Sequence, residues 1–121
     1  MREEFLVGVD IVHIPRMAKL VSRYPHRLGR IFTGAELRYA LSRSRPEEHL
    51  SARFAAKEAV AKVLGIRPRF REVEVVRNEH GAPELQFSGK TRNLALPYGW
   101  NLSLAHDGEY AIATVIAWRR S

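Results

Sequence analysis

The chain contains no cysteine, which excludes a disulfide scaffold, a thiolate metal site and a cysteine nucleophile, and fits a reducing compartment. It has no apolar run near the ~18–20 residues that cross a bilayer, and the opening Met1-Arg2-Glu3-Glu4 lacks the apolar stretch of a secretory leader. The expectation is a soluble, cytoplasmic protein with no membrane partner. A phosphate-cradling P-loop, a dinucleotide glycine fingerprint and a G-x-S-x-G turn are all missing, and His13, His26, His49 and His80 show no metal-ligand spacing. Repeats, low-complexity tracts and Gly/Ser linkers are missing too, so residues 1–121 read as one domain. Acid is scarce: 13 Asp and Glu face 20 Lys and Arg, a net charge of +7, and residues 11–35 hold five Lys/Arg without one acid. That balance attracts an anionic partner, whether nucleic acid, a phosphorylated ligand or an acidic protein.

What is present describes a folding domain, since 45% hydrophobic and 27% charged residues lie far from disordered or fibrous compositions. Residues 5–12 are β-branched and almost continuously apolar, which predicts a strand buried on both faces, interrupted by Asp10. Pro15 opens a helix whose apolar positions Ile14, Met17, Ala18 and Val21 repeat until Tyr24-Pro25. Thr33-Gly-Ala-Glu36 has the form of a capping box at the start of a second helix, and a third and longest helix runs from Pro46 to Gly65. Strands follow at residues 70–77 and 84–87 across the turn at 78–81, then a short helix near 91–96, and a hairpin of 100–105 with 110–118 about Asp107-Gly108. Strand, three helices, two strands, helix and two strands is an α+β order.

Several residues break these patterns in ways that bear on chemistry. On a helical wheel Leu50, Phe54, Ala61 and Leu64 form the apolar stripe of the long helix, yet Lys57 falls inside it and Arg53 on its flank. Burying cations costs several kcal/mol unless opposite charge meets them, so either an anion sits against the helix or long stems snorkel to water. Glu58 and Lys62 stand at i and i+4, the spacing of an ordinary surface ion pair. Asp10 in its apolar strand needs a hydrogen-bond donor or a cation; with a Glu from another element it supplies two oxygens of the kind Mg²⁺ takes. Ser103, His106 and Asp107 do not form a triad, because positions three apart on a strand face opposite ways; His106 is either a strand-end cap or a phosphate ligand. Arg16, Lys19 and Arg23 form a cationic outer stripe on the first helix with Leu20 among them. Such a face is either simply solvated or suited to an acidic, amphipathic protein helix, while the aromatic platforms that nucleic acid favours are missing.

Three segments, Gly8-Val-Asp-Ile-Val-His-Ile-Pro-Arg16, Ala52-Arg-Phe-Ala-Ala-Lys-Glu-Ala-Val-Ala-Lys62 and Leu102-Ser-Leu-Ala-His106, resemble in order and separation the motifs of the holo-acyl-carrier-protein synthases, the small phosphopantetheinyl transferases. The resemblance implies that family's fold, a mostly antiparallel sheet packed on a long central helix in a homotrimer. It also implies transfer of the phosphopantetheine arm of coenzyme A to a serine of apo-acyl carrier protein for fatty acid synthesis. By the same resemblance Asp10 and Glu58 hold Mg²⁺, Lys62 contacts the pyrophosphate, and Arg53, Lys57 and His106 hold coenzyme A phosphates. Gly81 and Pro83 lie near the adenosine, and Arg16, Lys19, Leu20 and Arg23 face the carrier protein. Ala105 departs from the family, which commonly has Ser or Thr there. The competing reading is a basic nucleic-acid-binding module without catalysis, against which the pairing of Asp10 with Glu58 argues, because a phosphate-backbone binder has no use for such carboxylates.

Overall fold

The computed structural model describes residues 4–121; residues 1–3, part of the segment read above as no leader, lie outside them. Strand β1 (Phe5–His13) leads into α1 (Ile14–Arg23), a 3₁₀ turn (Pro25–Arg27), the single turn α2 (Leu28–Ile31), α3 (Gly34–Leu41) and the long α4 (Pro46–Leu64). A second 3₁₀ turn (Phe70–Glu72) precedes β2 (Val73–Arg77) and β3 (Pro83–Phe87), then come α5 (Gly89–Ala95), β4 (Tyr98–Asp107) and β5 (Tyr110–Arg119). The expected α+β order holds. The turn α2 was not expected, since Gly29 interrupts its Leu28/Ile31/Phe32 spacing, and residues 70–72 coil before the strand begins.

All pairing is antiparallel: one sheet has the order β1-β5-β4, the other is the hairpin β2-β3. The helix α4 packs on both sheets, burying Ala55, Ala56, Ala59 and Val60 with Leu102, Ala113 and Val115 of the first and Val73 and Val75 of the second. Small residues on both sides let backbones approach closely. At Gly8 the approach is closest, for a Cβ there would stand 2.2 Å from the carbonyl oxygen of Ala59. A second cluster of Met17, Leu28, Phe32, Ala40 and Leu50 ties α1, α2 and α3 to the start of α4. The long helix ends as expected, on Gly65 at φ 75°, a left-handed conformation that glycine adopts without a Cβ clash.

Strand β1 is not buried on both faces. It is an edge strand whose outward side chains Phe5, Val7, Val9 and Ile11 are 61%, 64%, 53% and 58% exposed. They pair in register with Trp118, Ile116, Thr114 and Ile112 of β5, so this side of β1 and β5 is a largely apolar surface, bordered on β4 by the exposed Asn101 and Ser103. Continuous apolarity in the sequence marks two faces that avoid water without saying what covers the second. Gly8, Asp10 and Val12 alternate with these residues and turn to the α4 side. No helix among the described residues is long and apolar enough to cross a membrane.

Candidate active site

The Asp10 carboxylate meets α4 beside two positions one turn apart, Glu58 and Lys62. The expected Glu58–Lys62 surface pair does not form. Lys62 Nζ instead donates to the carbonyl oxygen of Val9 at 2.7 Å and to Asp10 Oδ1 at 3.3 Å. Glu58 turns to Arg67, whose Nη2 lies 2.7 Å from Oε1; that N–H is not aligned on the oxygen, which is buried without a hydrogen-bond partner. Burial pushes the Asp10 carboxyl above the usual carboxylate range; Lys62 pulls it back, and the charge of Glu58 pushes it up again. Two carboxylates that repel one another, one with an orphaned oxygen, are a donor set that a hard cation relieves. Among the described residues no group of three or more acids and histidines gathers to hold a metal; two carboxylates alone would suit a cation such as Mg²⁺ that takes water and phosphate oxygens in its other positions. Asp10 and Glu58 open on a cavity of about 450 Å³ walled by Arg16, Leu20, Ile31 and Phe54.

Lys57 does not serve the cavity. Its ammonium is fully buried and its three N–H groups are all taken, by Glu36 Oε1 at 2.8 Å, by the carbonyl oxygen of Phe70 at 2.8 Å and by that of Val73. No donor is left for a phosphate, and the assignment of Lys57 to coenzyme A gives way to a structural one. Burial drives the Lys57 pKa down and Glu36 opposes the shift. Glu36 closes the expected capping box on Thr33, and its carboxylate also accepts from the backbone N–H of Val75 at 2.9 Å. One buried ion pair thus joins α3, α4 and β2.

The other expected phosphate ligands do not converge on Asp10 and Glu58 within one chain. Arg53 stands five residues before Glu58, about 140° around the helix. It is 3% exposed, its Nε has no partner, and its guanidinium lies 4.4 Å from the Tyr39 ring centre, which Arg43 and Arg77 also approach at 4.5 and 5.0 Å. Burial lowers its pKa. His106 pairs through Nδ1 with Glu48 Oε2 at 3.1 Å. Gly81, at φ 82°, shapes the turn of the β2-β3 hairpin, with its carbonyl accepting from Arg77 at 2.6 Å, and Pro83 begins β3. On α1 the side chains of Arg16, Lys19 and Arg23 are exposed as expected. Leu20 is not an outward anchor: it is half-buried, packing on the Met17 cluster and walling the cavity.

Sequence reasoning did not find Arg67 or the second use of Glu36. Arg67 lies beyond the helix end, where no periodicity points, and Glu36 was already accounted for as a cap.

The whole chain has close counterparts. A family model described as the 4′-phosphopantetheinyl transferase superfamily matches residues 6–115. A holo-[acyl-carrier-protein] synthase of Caldanaerobacter subterraneus subsp. tengcongensis is 38% identical over 120 residues, covering 94% of each chain. One from Frankia alni is 47% identical over 116 residues, covering 92% of this chain and 94% of that one. Among solved structures, a Chronobacterium ammoniagenes ACPS–CoA complex superposes with a TM-score of 0.86 at 36% identity, over 98% of this chain and 100% of the other. With motifs, fold and full-length similarity in agreement, the chain belongs to the 4′-phosphopantetheinyl transferase superfamily, among the holo-acyl-carrier-protein synthases.

Proposed function

We propose that this protein transfers the phosphopantetheine arm of coenzyme A to a serine of apo-acyl carrier protein, yielding holo-carrier and adenosine 3′,5′-bisphosphate for fatty acid synthesis in the cytoplasm. The observation that carries the reading is the meeting of Asp10 and Glu58 at a cavity bordered by the basic helix α1, with Lys62 bonded to Asp10. Phosphoryl transfer depends chiefly on positioning and charge neutralisation, so no protein nucleophile is required. The attacking oxygen is the carrier's serine hydroxyl. It bonds to the phosphorus that bears the pantetheine arm, the bridging P–O bond of the diphosphate breaks, and the bisphosphate leaves.

Asp10 and Glu58 would hold a magnesium ion, which when bound supplies positive charge to the diphosphate oxygens. The serine proton goes to Glu58, directly or by way of a water. Lys62 turns from Asp10 towards the leaving phosphate. Arg53, His106, Gly81 and Pro83 are proposed as coenzyme A contacts delivered by a neighbouring subunit, which accounts for their separation from Asp10 in one chain. The apolar outer face of β1 and β5 supports a homotrimer, because an exposed edge strand carrying a large apolar patch favours cover by another copy. Arg16, Lys19 and Arg23 are proposed to meet the acidic carrier, with Leu20 shaping the entry beside them.

Incubation with coenzyme A, Mg²⁺ and apo-acyl carrier protein, followed by mass spectrometry of the carrier, tests the reading. One added phosphopantetheine per carrier is expected, and an unmodified carrier under conditions where a known synthase modifies it would overturn the proposal.

A further inference from the structure

We infer that Arg67 is the resident counter-charge of Glu58 and competes with a divalent cation for that carboxylate, so that the cation is held tightly only together with the coenzyme A diphosphate. The inference rests on the functional reading above and adds to it a residue that sets the order in which the site fills.

The geometry distinguishes Arg67 from the other cation present. Lys62 is tied to main chain, its ammonium donating to the Val9 carbonyl as well as to Asp10. Arg67 has no such tie. Its guanidinium touches the buried, otherwise unpartnered Oε1 of Glu58 at 2.7 Å and lies 4.5 Å from the ring centre of Phe70. The Phe70 ring packs edge-on against Phe54, a wall of the cavity, at 5.7 Å. The arginine lies two residues beyond the left-handed Gly65, and its side chain is 65% exposed. It is thus aimed by a stacking contact and held at the carboxylate by charge alone.

One carboxylate oxygen cannot keep a guanidinium at 2.7 Å and also coordinate a divalent cation without bringing two positive centres within a few ångströms of each other. In the protein alone, a cation that takes Oε1 of Glu58 displaces Arg67, and one that takes Oε2 is opposed by the guanidinium's charge beside it. When the cation arrives with a diphosphate, the displaced guanidinium has anionic oxygens beside it to accept its N–H groups, and the opposition is relieved.

Mn²⁺ alone is the probe, its unbound fraction read by electron paramagnetic resonance at low salt without coenzyme A. Arg67→Ala is expected to bind Mn²⁺ about five- to tenfold more tightly than the unmodified protein, with Arg67→Lys between them, because an exposed ion pair and one short-range repulsion are removed. With saturating coenzyme A the advantage should disappear. A purely structural ion pair predicts instead a lower melting temperature and unchanged Mn²⁺ affinity, so unchanged or weaker Mn²⁺ binding by folded Arg67→Ala overturns the inference; Arg67→Gln repeats the test with the side-chain stem retained. Asp10→Asn separates the underlying reading: Mn²⁺ binding that ignores this change places the ion elsewhere and removes the metal site itself, and the role of Arg67 with it.

Discussion

Replacing Lys57 by Met tests whether the one cation that the helical wheel places in the core belongs to the fold or to the chemistry. Met fills most of the same volume but leaves the Glu36 carboxylate buried with only the N–H groups of Thr33 and Val75, and takes a donor from the carbonyls of Val73 and Phe70, of which Phe70 keeps the backbone N–H of Val73. Breaking a buried pair by removing one partner costs about 3–5 kcal/mol. With an unfolding entropy of ~2.1 cal/mol/K per residue, a 121-residue chain loses about 15 °C of melting temperature for ~4 kcal/mol. Glu36→Leu should cost a comparable amount, because it leaves Lys57 buried without its counter-charge. Glu36→Leu combined with Lys57→Met should be less destabilised than the sum of its parts, because neither charge is then left alone. Calorimetry on the four proteins gives the coupling, while carrier modification measured well below the lowest transition gives activity. A folded Lys57→Met with a near-normal melting temperature and a raised KM for coenzyme A would refute the reasoning and return Lys57 to the phosphates.

Asp10→Asn and Glu58→Gln should each lower carrier modification by at least ~100-fold while leaving the circular dichroism spectrum unchanged, since they remove ligand charge rather than packing; turnover within tenfold of normal at saturating Mg²⁺ would count against the metal role. Reversing Arg16 and Arg23 together to Glu should raise the KM for carrier protein roughly tenfold at low salt, an effect that fades as salt screens it, with coenzyme A binding unaltered. Val7→Glu, which puts charge at the centre of the apolar sheet face, should turn a trimer into monomers in sedimentation; a trimer that persists would place the subunit contact elsewhere. His49 is held below its ordinary pKa of 6.5, first by burial and then by Arg53, Arg43 and Arg77. Between its folded pKa and 6.5 the unfolded chain binds more protons, so stability falls as pH drops through that window. Denaturant titrations at about pH 7.5 and 5.5 should show a smaller loss for His49→Gln than for the unmodified protein.

Local signals in the sequence were reliable where the physics was local. The Thr33–Glu36 capping box and the Gly65 helix end form where their residue types require, and the last hairpin reverses one residue later than expected, with Gly108 and Glu109 as its loop and Asp107 still paired with Tyr110. The wheel also located Lys57 correctly inside the core. It could not supply the partner, which comes from a different helix and is a glutamate already engaged in capping. Asp10 and Glu58 were legible as unusual carboxylates, and the motif resemblance joined them. Their present partners, Lys62 and Arg67, were not legible: the i,i+4 rule favoured Glu58 with Lys62, but the Val9 carbonyl and Asp10 outcompete it across the chain. The faces of β1 were misjudged because an apolar run in a single sequence does not say whether its second face lies in the chain's own core, and here Phe5, Val7, Val9 and Ile11 lie outside it.

The contact between Gly8 and the Ala59 carbonyl reaches further than packing. Asp10 is two residues along the same strand face, roughly 7 Å away, and Glu58 adjoins Ala59 in the helix. The separation of the two carboxylates is therefore gauged by main chain resting on main chain, with no side chain interposed to swell, shrink or change rotamer. Substitutions among the surrounding alanines and valines can alter how firmly the domain folds while leaving that gauge as it was. A single methyl group added at position 8 acts the other way, forcing strand and helix apart and widening the carboxylate gap even if every charged residue of the site is retained.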